Sequence, residues 1–183
     1  MSVEIMKKFF TILVGIVCLL SARTVKAQSF AVRTNIAEWA LMAPNVGVDL
    51  VLSDRSTLNI SVGGTAGENY IKDAFIQYGM IEYRYWFSHQ PYENFFLGLQ
   101  FRPLHYRLHV DHSGKKGLTH NGAAFPVGFN FGYCWPLNSK FNLELCYGAG
   151  WYFYNNECSL NGSSHNIDFS TTNIGLSIAY ILK

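Results

Sequence analysis

The chain has 183 residues, of which 16% are aromatic and only 14% charged, and a formal net charge of +2. Soluble domains carry about a quarter charged residues, so this composition is unusual for one. The positive charge is confined to the start: without residues 1–27, which hold Lys7, Lys8, Arg23, Lys26 and Glu4, the balance falls to about −1, and no basic patch is left for a nucleic acid.

The opening stretch "MKKFFTILVGIVCLLSARTVKA" has the layout of a secretory signal: Lys7 and Lys8, an apolar run over 9–20, then a small residue at Ala27. Cleavage is expected near Ala27, with Met6 as the start. The apolar run is too short for a membrane anchor, which needs roughly twenty residues. Cys18 follows Val17, where a lipoprotein signal needs a small residue, so lipidation is not expected. Residues 28–183 are enough for one domain.

After the leader, period-two alternation recurs eight times between turn-rich segments, the pattern of an antiparallel barrel or sandwich. The first run places Phe30, Val32, Thr34 and Ile36 on one face, with Arg33 and Asn35 on the other. The second sets Val46, Val48, Leu50 and Leu52 against Asn45, Gly47 and Asp49. The third sets Leu58, Ile60 and Val62 against Thr57, Asn59 and Ser61. In the fourth, Ile81, Tyr83, Tyr85 and Phe87 oppose Glu82, Arg84 and Trp86. The fifth shows Leu97, Leu99 and Phe101, then Tyr106, Leu108 and Val110. That change of parity near Pro103 predicts a bulge.

The sixth run, "FPVGFNFGYCW" (125–135), has one large apolar face and one nearly bare face of Gly128, Asn130, Gly132 and Cys134. The seventh sets Phe141, Leu143, Leu145, Tyr147, Ala149, Trp151 and Phe153 against Asn142, Glu144, Cys146, Gly148 and Gly150. The last sets Ile174, Leu176, Ile178, Tyr180 and Leu182 against Gly175, Ser177 and Ala179.

Tight turns are predicted at 53–56, 88–94 and 136–140, and longer polar loops at 63–73, 109–123 and 155–166, with a short "ALMAPN" connection at 40–45. An even number of strands with short turns at one end and long loops at the other is the plan of an outer-membrane barrel. Tyr85, Trp86, Phe87, Trp135 and Phe141 lie beside the short turns, and Trp39, Tyr106, Trp151 and Phe153 toward the loops, as two interfacial belts would. A secreted lipocalin-like barrel would share the period but needs a charged exterior, and the polar face here is too small and bare. It suits the narrow interior of eight strands.

Parity points Arg33, Asp49, Glu82, Arg84, Arg102 and Glu144 into that interior. Charges withdrawn from water must be paired, so these six are expected to form an ion-pair plug and not an open pore. His105, His109, His112 and His120 lie close in sequence but have no cysteine or carboxylate at a familiar ligand spacing, so no metal site is assigned. Cys134 and Cys146 share a facing in consecutive strands; a bridge is conceivable, and a packed pair of thiols is the preferred reading.

The segments "RTNIAEWALMAPNVGVDLVL" (33–52), "IEYRYWF" (81–87), "FFLGLQF" (95–101) and "GYCWPLNSKFNLELCYGAGW" (132–151) resemble an uncharacterised family of small outer-membrane barrels, a domain of unknown function in Gram-negative anaerobes often encoded near fimbrial genes. The resemblance implies an eight-stranded, up-and-down transmembrane β-barrel in the outer membrane. It supplies no catalytic residue. "NIGLSIAY" (173–180) is similar to the sorting signal read by the barrel-insertion machinery, carried by Asn173, Gly175, Ile178 and Tyr180, although Ile181, Leu182 and Lys183 follow the aromatic.

The expected role is structural or interactive, with polar loops accessory to adhesion or fimbrial assembly. Expected partners are outer-membrane lipid, the insertion machinery and a surface or fimbrial protein. No cofactor is expected. The alternative is a lipid A-modifying acyl hydrolase or transferase. Asp111, His112 and Ser113, or Ser164, His165 and Asp168, supply suitable residue types, but the His-x-Ser arrangement of deacylase barrels is absent. A passive pore is a weaker reading.

Overall fold

The computed structural model describes residues 30–65, 74–112, 115–155 and 167–182; for 108–112 and 115–120 it describes the backbone alone. The expected leader, 1–27, lies outside the described residues. In chain order the elements are β1 (Phe30–Asn35), α1 (Ile36–Ala40), β2 (Asn45–Ser53), β3 (Ser56–Gly64), β4 (Ala74–Trp86), β5 (Asn94–Phe101), β6 (Leu104–His112), β7 (Lys115–Ala124), β8 (Val127–Pro136), β9 (Phe141–Phe153) and β10 (Ile167–Leu182). All pairings are antiparallel, and β1 pairs with both β2 and β10, so the sheet closes on itself.

The ten strands make eight barrel staves. β5 and β6 are halves of one stave, β7 and β8 halves of the next, interrupted at Arg102–Pro103 and Phe125–Pro126. No bulge occurs there. Ile81↔Phe101 and Tyr78↔Leu104 share one register, as do Phe101↔Val127 and Leu104↔Ala124. Proline removes only a donor. The Pro103 carbonyl still accepts from Gly79 N–H (3.1 Å), and the Pro126 carbonyl from Arg102 N–H (3.0 Å), which keeps the strands aligned.

The parity change predicted near Pro103 is therefore corrected. Tyr106 stays on the side of Arg102 and is buried, while His105 and Arg107 are exposed. What changes past the prolines is the chemistry of the two faces, not the backbone. Gly122 makes the inward aromatic possible, since a Cβ there would lie 2.5 Å from the Tyr106 hydroxyl. Register shifts occur elsewhere, at Val51–Ser53, at Val110–His112 and in β10 between Thr171 and Asn173, and the last turns both Thr172 and Asn173 inward.

Four elements differ from the sequence reading. Ile36, expected in the first strand, begins α1, because the Asn35 side chain accepts the Ala37 N–H (3.1 Å) and caps a helix. β4 and β10 begin earlier than the alternation did, and β7 lies where a loop was predicted. β7 lacks an alternating apolar face, and its strand form comes from pairing with β6.

Burial is inverted relative to a soluble barrel. Outward Phe129 and Phe131 are 53% and 52% exposed, whereas inward Asp49, Asn59, Glu82 and Asn130 are fully buried. At the short-turn end, Ala31, Trp86, Tyr92, Phe96, Cys134, Cys146 and Ala179 form an apolar plug. Trp86, expected in the belt, belongs to it: it faces inward with Glu82 and Arg84, and its indole N–H donates to Thr57 Oγ1 (3.1 Å). The bare face of "FPVGFNFGYCW" makes room for this plug, since a Cβ on Gly132 would come within 2.5 Å of the Phe96 ring.

Candidate functional site: the packed lumen

Five of the six charges read from the sequence meet in the middle of the barrel. Glu144 Oε2 accepts from Arg33 Nη2 (2.5 Å) and from Arg84 Nη1 (3.1 Å). Arg33 Nε also lies 3.1 Å from Asp49 Oδ2, and Arg84 Nη2 is 2.6 Å from Glu82 Oε2. Amides complete the set: Asn59 Nδ2 donates to Asp49 Oδ1 (2.6 Å), and Asn130 Nδ2 to Glu82 Oε1 (2.9 Å). Small residues set the geometry, for Gly98 is the rung partner of Arg84 and the Glu82 carboxylate occupies the space a Gly98 side chain would need. Below, the Arg84 guanidinium lies 4.8 Å from the Phe96 ring centroid and joins the charges to the apolar plug.

Arg102 does not join this network. It stands a tier nearer the loops, where Nη2 donates to Glu38 Oε1 (2.8 Å), Nη1 donates to the Thr172 carbonyl (3.0 Å), and the guanidinium sits 3.7 Å from the Tyr78 ring centroid. The Tyr78 hydroxyl also donates to Glu38. Glu38, missed in the sequence, is supplied by α1. The available signal was "NIAE", an N-cap residue followed three positions on by glutamate. Gln100 and Thr172, hydrogen-bonded to each other, fill the level between the tiers.

The free space between the tiers is about 30 Å³, bordered by Arg33, Asn59, Arg84, Arg102, Glu38 and Cys146 among others. That is about the volume of one water molecule. Cys134 and Cys146 are both free and buried; Cys134 is the rung partner of Glu144 and Cys146 of Gly132, so the thiols are diagonal neighbours.

The sorting-signal residues lie along β10. Asn173 faces inward, with Nδ2 3.5 Å from Cys146 Sγ, and Gly175 also faces inward, while Ile178 and Tyr180 are half-buried on the outer face, Tyr180 with its ring 4.9 Å from that of Phe141. His105 is exposed. The side chains of His109, Asp111, His112 and His120, and residues Ser113, Ser164 and His165, lie outside the described residues; Asp168 is exposed on β10. Among the described residues no three His, Cys, Asp or Glu side chains gather as a metal site.

These features define a class: a small, closed, eight-stranded antiparallel up-and-down β-barrel with an apolar exterior and a filled, ion-paired lumen. Residues 12–182 match the sequence profile of the family described as "Protein of unknown function (DUF3575)", and the chain belongs to that family. No curated protein matches it. Among solved structures it is similar to the crystal structure of the N-terminal β-barrel domain of Pseudomonas aeruginosa OprF, at 11% identity and a TM-score of 0.44, over 84% of this chain and 97% of that one.

Proposed function

We propose that the protein is an exported outer-membrane barrel whose exterior is covered by lipid, whose lumen is a structural plug, and whose long-loop side meets a surface or fimbrial partner in adhesion or fimbrial assembly. The observation that carries the membrane reading is the inversion of burial. Val48, Leu50, Ile60, Leu99, Phe129, Phe131 and Leu145 stand exposed around the wall while every charge of the central network is buried. A soluble monomer rarely exposes a contiguous apolar patch beyond a few hundred Å². In lipid the same surface is solvated, and a closed sheet leaves no backbone group unpaired there.

On this reading residues 1–27 direct export, and Asn173, Gly175, Ile178 and Tyr180 present β10 to the insertion machinery. The cramped lumen supports a scaffold role over conduction. The β6–β7 hairpin supports a contact role: among the described residues its outer half, from His109↔Thr119 to His112↔Lys115, pairs only with itself, beyond the level where β4 pairs with β6, and rigid scaffolds commonly place function in such segments. The partner's identity follows the family resemblance.

The test compares heated and unheated protein from the outer-membrane fraction on a gel. A mobility shift on boiling is expected; a soluble, unshifted protein would overturn the membrane reading. Deleting residues 109–119 is expected to impair surface assembly or adhesion while the shift persists, and unchanged adhesion would overturn the partner role. The barrel performs no chemistry in this proposal, so lipid A masses stay unchanged on overexpression.

A further inference from the structure

The α1 segment straddles the barrel wall. Glu38 reaches into the lumen and is held by Arg102 and Tyr78, whereas its neighbour Trp39 folds down the outside, where the indole N–H donates to Thr34 Oγ1 (2.7 Å). Thr34 belongs to the outward set of β1, and the Trp39 ring borders a groove with Val46 and Val62, the loop-end members of the outward faces of β2 and β3. Ile36, Leu41 and Met42 are also exposed, Leu41 at 67%. Between Ile36 and Pro44 the only charged residue is Glu38, and it is turned inward.

We infer that this segment is an interfacial membrane anchor: Ile36, Trp39, Leu41 and Met42 seat in the boundary between headgroups and acyl chains of the leaflet on the long-loop side, and Glu38 fastens the segment from within. The inference rests on the membrane reading above. Lipid is the occupant because Trp39 carries on the outward apolar faces that end in Val46 and Val62, with uncharged Gln77 the exposed polar side chain of the same groove. It offers no outward charge for a polar partner, and the indole donor already has its acceptor on the protein. Tryptophan is enriched at this depth, and a short apolar face gains most where it enters the headgroup boundary. The inner tie keeps the anchor at a fixed height on the wall.

The test uses the full chain folded into bilayers whose acyl chains carry bromine near the headgroup end, with iodide as the aqueous quencher. The emission of Trp39 is read as the difference between wild type and Trp39→Phe, and that of Trp151, an outward residue of β9, as the difference from Trp151→Phe. Brominated lipid is expected to lower the Trp39 difference by about two-fold and iodide to leave it nearly unchanged. If Trp151 is quenched by lipid but Trp39 only by iodide, the barrel is inserted and the anchor inference is overturned, leaving that face open to a protein partner. If lipid quenches neither, the membrane reading itself fails.

Discussion

The central network makes an asymmetric prediction. Arg33, Asp49, Glu82, Arg84 and Glu144 are each at most 6% exposed, and they comprise two guanidiniums and three carboxylates, a formal −1. Arg84→Met removes contacts at 2.6 Å and 3.1 Å and takes the set to −2, with Glu82 left to its amide partner and Glu144 to Arg33 alone. Removing one partner of a buried pair costs about 3–5 kcal/mol, because the other charge stays buried. Glu82→Gln instead brings the set to neutrality and keeps an acceptor for Arg84, so it exchanges a charged bond for a neutral one at about 1–2 kcal/mol. The double variant is expected to cost less than the sum by about 1–3 kcal/mol, since the two residues touch. The assay is urea unfolding in lipid vesicles, followed by tryptophan emission and by the folded and unfolded gel bands, with equal slopes required across variants. Equal costs for Arg84→Met and Glu82→Gln would refute the reasoning, because a charge-balanced set would not distinguish the sign of the loss.

Two further outcomes follow from geometry. Gly132→Ala places a methyl 2.5 Å from the Phe96 ring and 2.7 Å from the Leu145 carbonyl; with Phe96 boxed by Trp86, overpacking of about 1–3 kcal/mol is expected in the same unfolding assay. Glu38→Ala releases Arg102 and Tyr78 from the rim, and local opening made easier by about 1–2 kcal/mol would speed alkylation of Cys146 roughly five- to thirty-fold. Cys134, two rungs nearer the short turn and not bordering the space beneath Arg102 as Cys146 does, serves as the internal control and is expected to react no faster.

The alternation made most of the wall legible, since each outward residue in "FPVGFNFGYCW" is large and each inward one small, and such a pattern has few packings. The inward direction of Arg33, Asp49, Glu82, Arg84, Arg102 and Glu144 was legible for the same reason, being a matter of parity. Which charge meets which was not, because pairing depends on height along tilted strands, and Arg102 stands a tier above the rest. Glu38 escaped notice because it is carried by a single helical turn between strands, where period two has no meaning. Trp86 was assigned by its level beside a turn although its parity already pointed inward; parity prevailed because Gly132 leaves room for Phe96 and Trp86 inside. The apparent switch at Pro103 reflects a change in the residue types on the two faces, which a sequence records in the same letters as a change of backbone direction.

The unbroken register through Pro103 and Pro126 gives the molecule a mechanical character. The staves that form the wall run on into the β6–β7 hairpin, so the hairpin is a mast stepped into the barrel and not a tethered flap. A pull along it loads the strands lengthwise, and the ladder bonds share the force in shear instead of parting one at a time. The two prolines, each lacking a donor at nearly the same height, sit where the neighbouring strands still hold the staves, with β4 pairing β6 as far as Leu108, so sideways force would bend the free outer half above that level and spare the wall.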